Sequence, residues 1–121
     1  MAKRVKRDVN APCLVGEAVE VVGGRWKGDI LWYLQAEPKR FMELRRLLPH
    51  ITPKVLTQEL RELERDGLVH REQYAEIPPR VEYSMTAVGR SALPLLEQLS
   101  EWWKKNRASV RRSAAMSEVD A

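Results

Sequence analysis

A row of hydrogen-bond donors runs along one side of a predicted helix in TPKVLTQELRELERDGLV, residues 52–69. At 100° per residue, Lys54, Gln58, Arg61 and Arg65 fall opposite a stripe of leucines, and the acidic residues of the segment fall off that row. Packing requires only the stripe, which consists of Leu56, Leu60 and Leu63. Lysine, arginine and glutamine can donate to phosphates and pair with the edges of guanine and adenine. The row therefore favours contact with nucleic acid over its alternative, the solvated face of an amphipathic helix.

The elements on either side of this helix are those of a winged helix-turn-helix. Thr52 is a suitable N-cap, Pro53 suits the first helical position, and Gly67 suits the C-terminal end. A short helix is predicted at residues 41–47, before the break at 49–51. After the helix, residues 68–74 and 81–85 have the composition of strands and flank a turn with two prolines. In this arrangement the second helix lies in the major groove and the first crosses the DNA backbone. We therefore predict a recognition helix at Thr52–Asp66 and a wing at Tyr74–Val81.

The remaining pattern predicts a mainly α, α+β fold. Helices are predicted at residues 14–22, ending at two glycines, and at 26–35. In the helix at 41–47 the inward-facing residues are expected to be Phe41, Leu44, Leu47 and Leu48. Thr86 is expected to cap a long helix to about Lys105, which Pro94 should kink or divide. We expect one domain at residues 11–107, between a basic flexible tail at 1–10 and a flexible tail at 108–121.

Composition excludes several classes of protein. The chain has 121 residues, enough for one core, and no apolar run of the ~18 residues that cross a bilayer. The basic N-terminus does not resemble a secretory signal, so a cytoplasmic protein is expected. Nine of the 21 lysines and arginines lie in residues 3–7 and 104–112, so the net charge of +4 says little about the folded part.

The residue types required for catalysis or metal binding do not occur in suitable patterns. One cysteine cannot form an intramolecular disulfide, and with two histidines it does not have the spacing of a zinc site. The sequence contains no complete phosphate-binding glycine loop and no nucleophile elbow. We expect no enzyme activity, metal or cofactor.

Other residues could support the contact with DNA. Cations at the start and outer side of the preceding helix could hold phosphates, and an arginine at the end of the wing loop could enter the minor groove. The hydroxyls near the start of the recognition helix could also contact a phosphate, which the helix dipole favours there. The predicted DNA-binding residues are Lys39, Arg40, Arg45, Thr52, Pro53, Lys54, Thr57, Gln58, Arg61 and Arg80.

Residues 13–105 closely resemble the HxlR family of prokaryotic winged-helix transcriptional regulators. The most specific matches are GGRWKG at 23–28, LTQELRELERDGLV at 56–69 and PPRVEYSMT-x-x-G at 78–89. The resemblance implies a homodimeric transcription factor that binds a palindromic or inverted-repeat operator in double-stranded DNA and has its interface in the terminal helices. A repressor is expected more than an activator. The alternative is a winged helix that binds protein or RNA, because a fold does not fix a function.

The C-terminal helix has physical features of an interface. It carries more large apolar residues than a domain of this size easily buries, and aromatic residues are favoured anchors between subunits. The predicted dimer-interface residues are Leu95, Leu96, Leu99, Trp102 and Trp103. Their alternative role is to cover the core of the monomer.

Two possible effector sites follow from single features. Cys13 precedes the first predicted helix, where a thiol can have enhanced reactivity, and some members of the resembled family sense oxidants with a cysteine near this position. Its alternative role is that of a small apolar filler. A small-molecule pocket lined by Trp26, Trp32 and Tyr33 is also conceivable, but ordinary core packing is the stronger expectation for these residues.

Overall fold

The structure, a computed structural model, describes the backbone of residues 13–120 and the side chains of residues 13–110. The predicted tail at 1–10 lies outside the described residues. Six helices and two strands follow one another as α1 (Val15–Val22), α2 (Lys27–Leu34), α3 (Phe41–Leu47), α4 (Pro53–Arg65), β1 (Val69–Tyr74), β2 (Arg80–Met85), α5 (Ala87–Ser91) and α6 (Leu93–Asp120). The mainly helical fold with a two-stranded sheet is the predicted one.

Helix α4 begins and ends where its capping residues predict. The Thr52 hydroxyl oxygen accepts a hydrogen bond from the Val55 N–H at 3.1 Å, and Pro53 is the first helical residue. After Arg65 the chain leaves the helix through Gly67, whose φ of +83° is in the left-handed region that favours glycine. These local signals fix both ends of the helix that carries the donor row.

The core lies between α2, α3, α4 and the base of the hairpin. Its fully buried side chains come from these helices: Ile30, Leu31, Leu34, Leu44, Leu56, Leu60 and Leu63. The predicted leucine stripe of α4 is therefore confirmed. In α3 the prediction for Leu47 was wrong, because this residue is 37% exposed while Leu44 and Leu48 fill the core. Leu47 lies about 60° from Leu44 around the helix, at the edge of the buried face.

Strands β1 and β2 form the antiparallel wing. Their register runs from Val69 opposite Met85 to Tyr74 opposite Arg80. Lys39 extends this sheet by an isolated bridge, in which its N–H donates to the Tyr83 carbonyl at 2.9 Å and its own carbonyl accepts at 2.8 Å. The wing is thereby attached to the segment just before α3.

The C-terminal part is divided near Pro94, as predicted. Thr86 caps the short helix α5 by accepting from the Gly89 N–H at 3.0 Å, and Pro94 is the second residue of α6, where its missing N–H costs little. Gly89 lies so close to the Leu68 carbonyl that a Cβ would overlap it, which explains the glycine in PPRVEYSMT-x-x-G. Helix α6 extends to Asp120, beyond its predicted end near Lys105. None of the described helices is long and apolar enough to span a membrane.

Candidate nucleic-acid interface

The donor row of α4 is on the surface. Lys54, Gln58, Arg61 and Arg65 are all exposed, directly opposite the buried leucines. Among the described residues, the Lys54 ammonium and the Arg61 guanidinium have no hydrogen-bond or ion-pair partner. The Arg65 guanidinium lies 3.4 Å from the Asp66 carboxylate. The first three positions of the row thus offer two free cations and one amide along a single face.

The start of α4 adds polar groups to this face. Thr52 and Pro53 are exposed, and Thr57 is half-buried beside Arg61. Because the Thr52 oxygen accepts the cap hydrogen bond, its own O–H remains able to donate to an external oxygen. The helix N-terminus and its dipole also favour an anion at this end.

Two acidic residues of α4, Glu59 and Glu62, lie toward α2 and contact Lys27. The Lys27 side chain is only 7% exposed, and its ammonium lies 2.6 Å from Glu62 Oε1, 3.8 Å from Glu59 Oε2 and 3.3 Å from the Glu20 carbonyl oxygen. A buried ammonium requires such partners. Lys27 thereby holds Glu59 and one oxygen of Glu62 on the side of α4 that faces α2. Lys27 was not singled out in the sequence. It shares a face with Ile30, Leu31 and Leu34, and a cation on that apolar face is the signal that would have found it.

The surroundings of Glu62 favour the ionised form of its carboxyl group. The hydrogen bond from Lys27 and, secondarily, the one from Gln58 hold the pKa of this carboxyl below its ordinary value, against the opposing effect of burial. Because the pKa is lowered on folding, this interaction stabilises the fold above the ordinary carboxyl pKa and is lost as the pH falls through the lowered value. At neutral pH the Glu62 carboxylate therefore acts purely as an acceptor.

The cations near α3 differ in availability. Arg40 is exposed, and its backbone N–H donates to Glu43 Oε1 at 2.7 Å, which caps α3. Arg45 is half-buried, and its Nε has no partner among the described residues. The Lys39 side chain is only 12% exposed, and its ammonium lies 3.2 Å from the Glu37 carboxylate. Arg40 is thus better placed than Lys39 to meet a phosphate.

In the wing, Arg80 is held by its neighbours. Its guanidinium stacks 4.0 Å from the centre of the Tyr74 ring and lies 2.9 Å from Glu76 and 3.5 Å from Glu82. The predicted contact of Arg80 with the minor groove depends on its positive charge, and these two carboxylates offset that charge. Arg71, an exposed residue of β1 that the sequence analysis did not select, faces α4 across a groove of about 440 Å³.

A second surface feature is an apolar face on α6. Leu95, Leu99 and Trp102 are 65%, 61% and 54% exposed, and the Trp102 and Trp103 rings stack with centroids 6.1 Å apart. Leu96 differs, because it packs against the core of the same chain. Apolar side chains are also exposed at α1, namely those of Leu14, Val15 and Val19.

The predicted effector residues occupy different surroundings. Cys13 is exposed immediately before α1. Trp26 and Tyr33 pack against the core, whereas Trp32 is exposed. Ordinary core packing, the stronger of the two expectations, thus describes Trp26 and Tyr33. Within the described residues, no group of histidine, cysteine and acidic side chains could hold a metal ion.

Comparison with known proteins identifies the family. The family model described as HxlR-like helix-turn-helix matches residues 21–111, which include α2 to α5, the wing and most of α6. The chain belongs to the HxlR family. This HxlR protein is 48% identical over 95 residues to the HTH-type transcriptional regulator YybR of Bacillus subtilis, with 78% of this chain and 76% of YybR covered.

Solved structures agree with the fold of this HxlR protein. The redox regulator HypR in its reduced form is 46% identical, with a TM-score of 0.75 over 81% of this chain and 97% of that chain. The reduced form of the regulator YodB from B. subtilis is 32% identical, with a TM-score of 0.69 over 77% of this chain and 92% of that chain. The resemblance noted in the sequence is confirmed: the chain is a helix-turn-helix transcriptional regulator and not an enzyme.

Proposed function

We propose that this HxlR protein binds a palindromic operator as a homodimer, with the recognition helix Thr52–Asp66 in the major groove and the wing Tyr74–Val81 beside it. The supporting observation is the outward face of α4, where the unpartnered cations of Lys54 and Arg61 flank the Gln58 amide. These groups match phosphate oxygens and base edges in chemistry. Arg40 and Arg45 add phosphate contacts from α3, and the hydroxyls of Thr52 and Thr57 add donors. Lys39, Pro53 and Arg80 complete the proposed set of DNA-contacting residues, and the cations of Lys39 and Arg80 must leave their carboxylate partners to reach a phosphate.

The exposed apolar faces support a dimer. Water-exposed leucine and tryptophan side chains on α6, together with those of α1, form surfaces that a second copy would bury. Of the five proposed interface residues, Leu95, Leu99 and Trp102 face outward, Trp103 is half-buried and Leu96 contributes mainly to the protomer core. A two-fold dimer would place two copies of α4 one turn of DNA apart, about 34–36 Å.

The proposed mechanism is repression by occupancy. A dimer on an operator that overlaps a promoter blocks polymerase in the cytoplasm, where a prokaryotic chromosome lies, and a signal that changes the spacing of the two recognition helices releases it. The alternative, a winged helix that binds a protein, would be expected to expose apolar anchors on α4. The observed face carries Lys54, Gln58 and Arg61 instead.

The salt dependence of binding tests the proposed function. We expect the protein to select a defined duplex from a random DNA pool, and its log Kd for that duplex to rise linearly with log salt concentration, with a slope of about 0.9 per neutralised phosphate. Arg40→Ala should weaken binding to selected and random duplexes alike and reduce the slope by about 1. A matched control is Arg107→Ala, on an exposed part of α6. Failure to select any sequence, with an affinity insensitive to salt, would contradict the proposal.

We further propose that Cys13 makes DNA binding responsive to oxidants or electrophiles. Its thiol is exposed beside α1, and the similar structures include HypR in reduced and oxidised forms and a diamide-treated form of YodB. Because each chain has a single cysteine, oxidation of its thiol to a disulfide would join two protomers or attach a small thiol. Diamide is expected to change operator affinity about tenfold, within the 1–3 kcal/mol typical of coupling between sites. The idea fails if Cys13→Ser responds to diamide as the unmodified protein does.

A further inference from the structure

The amide of Gln58 is held in one orientation by its neighbour on α4. Gln58 Nε2 donates to Glu62 Oε2 at 2.7 Å. A carboxylate accepts hydrogen bonds and cannot donate them, so the nitrogen and not the oxygen of the amide must face Glu62. One N–H of Gln58 is consumed by this bond. One N–H and the carbonyl oxygen remain for an external partner.

Glu62 is itself fixed from the protein interior. Its other oxygen, Oε1, accepts from the Lys27 ammonium at 2.6 Å, and the Lys27 side chain is only 7% exposed. The two hydrogen bonds divide the carboxylate between a buried cation and a surface amide. The lowered pKa of Glu62 is consistent with this arrangement. Lys27, Glu62 and Gln58 thus form a chain from α2 to the outer face of α4.

We infer that Gln58, oriented by Glu62, recognises adenine in each half-site, an inference that rests on the proposed binding of α4 in the major groove. The adenine edge offers N7 as an acceptor and the N6 amino group as a donor, which match the free N–H and carbonyl of the oriented amide. Guanine offers two acceptors, N7 and O6, and would require two free N–H groups. Lys54 and Arg61 donate only, so they do not share this preference. Glu62 and Lys27 are positioning residues that act through Gln58.

The variant Glu62→Gln is expected to reverse the preference. Lys27 requires an acceptor, so the new side chain should keep its carbonyl oxygen toward the ammonium and present its NH₂ to Gln58. The Gln58 amide would then turn its oxygen inward and expose both N–H groups, which match guanine N7 and O6. A matched control is Glu59→Gln, which removes a carboxylate near Lys27 that makes no hydrogen bond to Gln58.

The experiment is selection from a random duplex pool by the full chain, with sequencing of the bound DNA. The unmodified protein and Glu59→Gln should favour adenine at one position in each half-site by about tenfold over guanine. Gln58→Ala, a change on an exposed face, should lose that preference while the rest of the motif persists, and Glu62→Gln should shift it to guanine. The inference would be overturned if Gln58→Ala still selected adenine at that position, or if Glu62→Gln still preferred adenine over guanine. Either result would leave the proposed function intact. A pool in which the unmodified protein selects no motif would overturn the proposed function itself.

Discussion

The triple substitution of Lys54, Gln58 and Arg61 with alanine is expected to lower affinity for the selected operator by about 100-fold or more. Each well-placed base contact contributes roughly 1–3 kcal/mol of discrimination, and two of the three side chains also carry charges that attract phosphates. The fold should persist, because the three side chains are exposed and alanine has the highest helix propensity. Kd by fluorescence anisotropy and thermal unfolding would be measured on the same samples.

A charge-matched control separates specific contact from general electrostatic attraction. The double variant Lys104→Ala and Arg107→Ala also removes two positive charges, but from exposed positions of α6. We expect it to change operator affinity by less than about threefold, since charges that lie beyond a Debye length of about 10 Å are largely screened. Equal losses in the triple and control variants would show that the α4 row is an ordinary solvated helix face.

The second large effect is expected at the exposed apolar face of α6. Leu99→Glu combined with Trp102→Glu would place four carboxylates at a two-fold interface, where buried unpaired charges cost several kcal/mol. We expect a monomer by sedimentation at micromolar concentration. Operator affinity should fall by about 100-fold or more. In a dimer, binding of one subunit holds the other at high effective concentration near its half-site, and a monomer loses this advantage.

The control for this variant is an exposed apolar residue outside the proposed interface. Val88, on α5, is 61% exposed, and Val88→Glu should leave both the oligomeric state and the affinity unchanged. The monomeric variant should retain the thermal unfolding profile of its own core, because neither of its substituted side chains belongs to the core cluster. An unmodified protein that sediments as a monomer and binds its operator fully would contradict the proposed dimer.

Local signals in the sequence predicted most of the elements around the proposed interface. Thr52, Pro53 and Gly67 define the ends of α4 by backbone chemistry that needs no tertiary information, and α3 has its predicted bounds. The strand periodicity and the prolines of the turn predicted the wing. The end of α6 was harder to predict, because residues 108–120 are mostly small, polar or charged and lack large apolar residues at helical spacing, yet contain good helix formers such as alanine, arginine and glutamate.

Contacts between elements could not be derived from local pattern. The sequence placed Lys39 and Arg80 among available cations, but neighbouring carboxylates partner both, and which acid meets which base depends on the folded arrangement. The position of the acids off the α4 row was visible in the sequence, whereas the buried Lys27 that binds Glu59 and Glu62 was not identified. Leu96 likewise shares the apolar stripe of α6 but packs inward against the core.

The structure of the protein bound to its selected operator would test the central claim most directly. We expect α4 to lie in the major groove with the Gln58 amide and the Arg61 guanidinium within about 3.2 Å of base edges, the upper limit for a good hydrogen bond from nitrogen. The Lys54 ammonium should meet a base edge or a phosphate. A complex in which the outer face of α4 contacts only solvent, with the DNA held by another surface, would contradict the account.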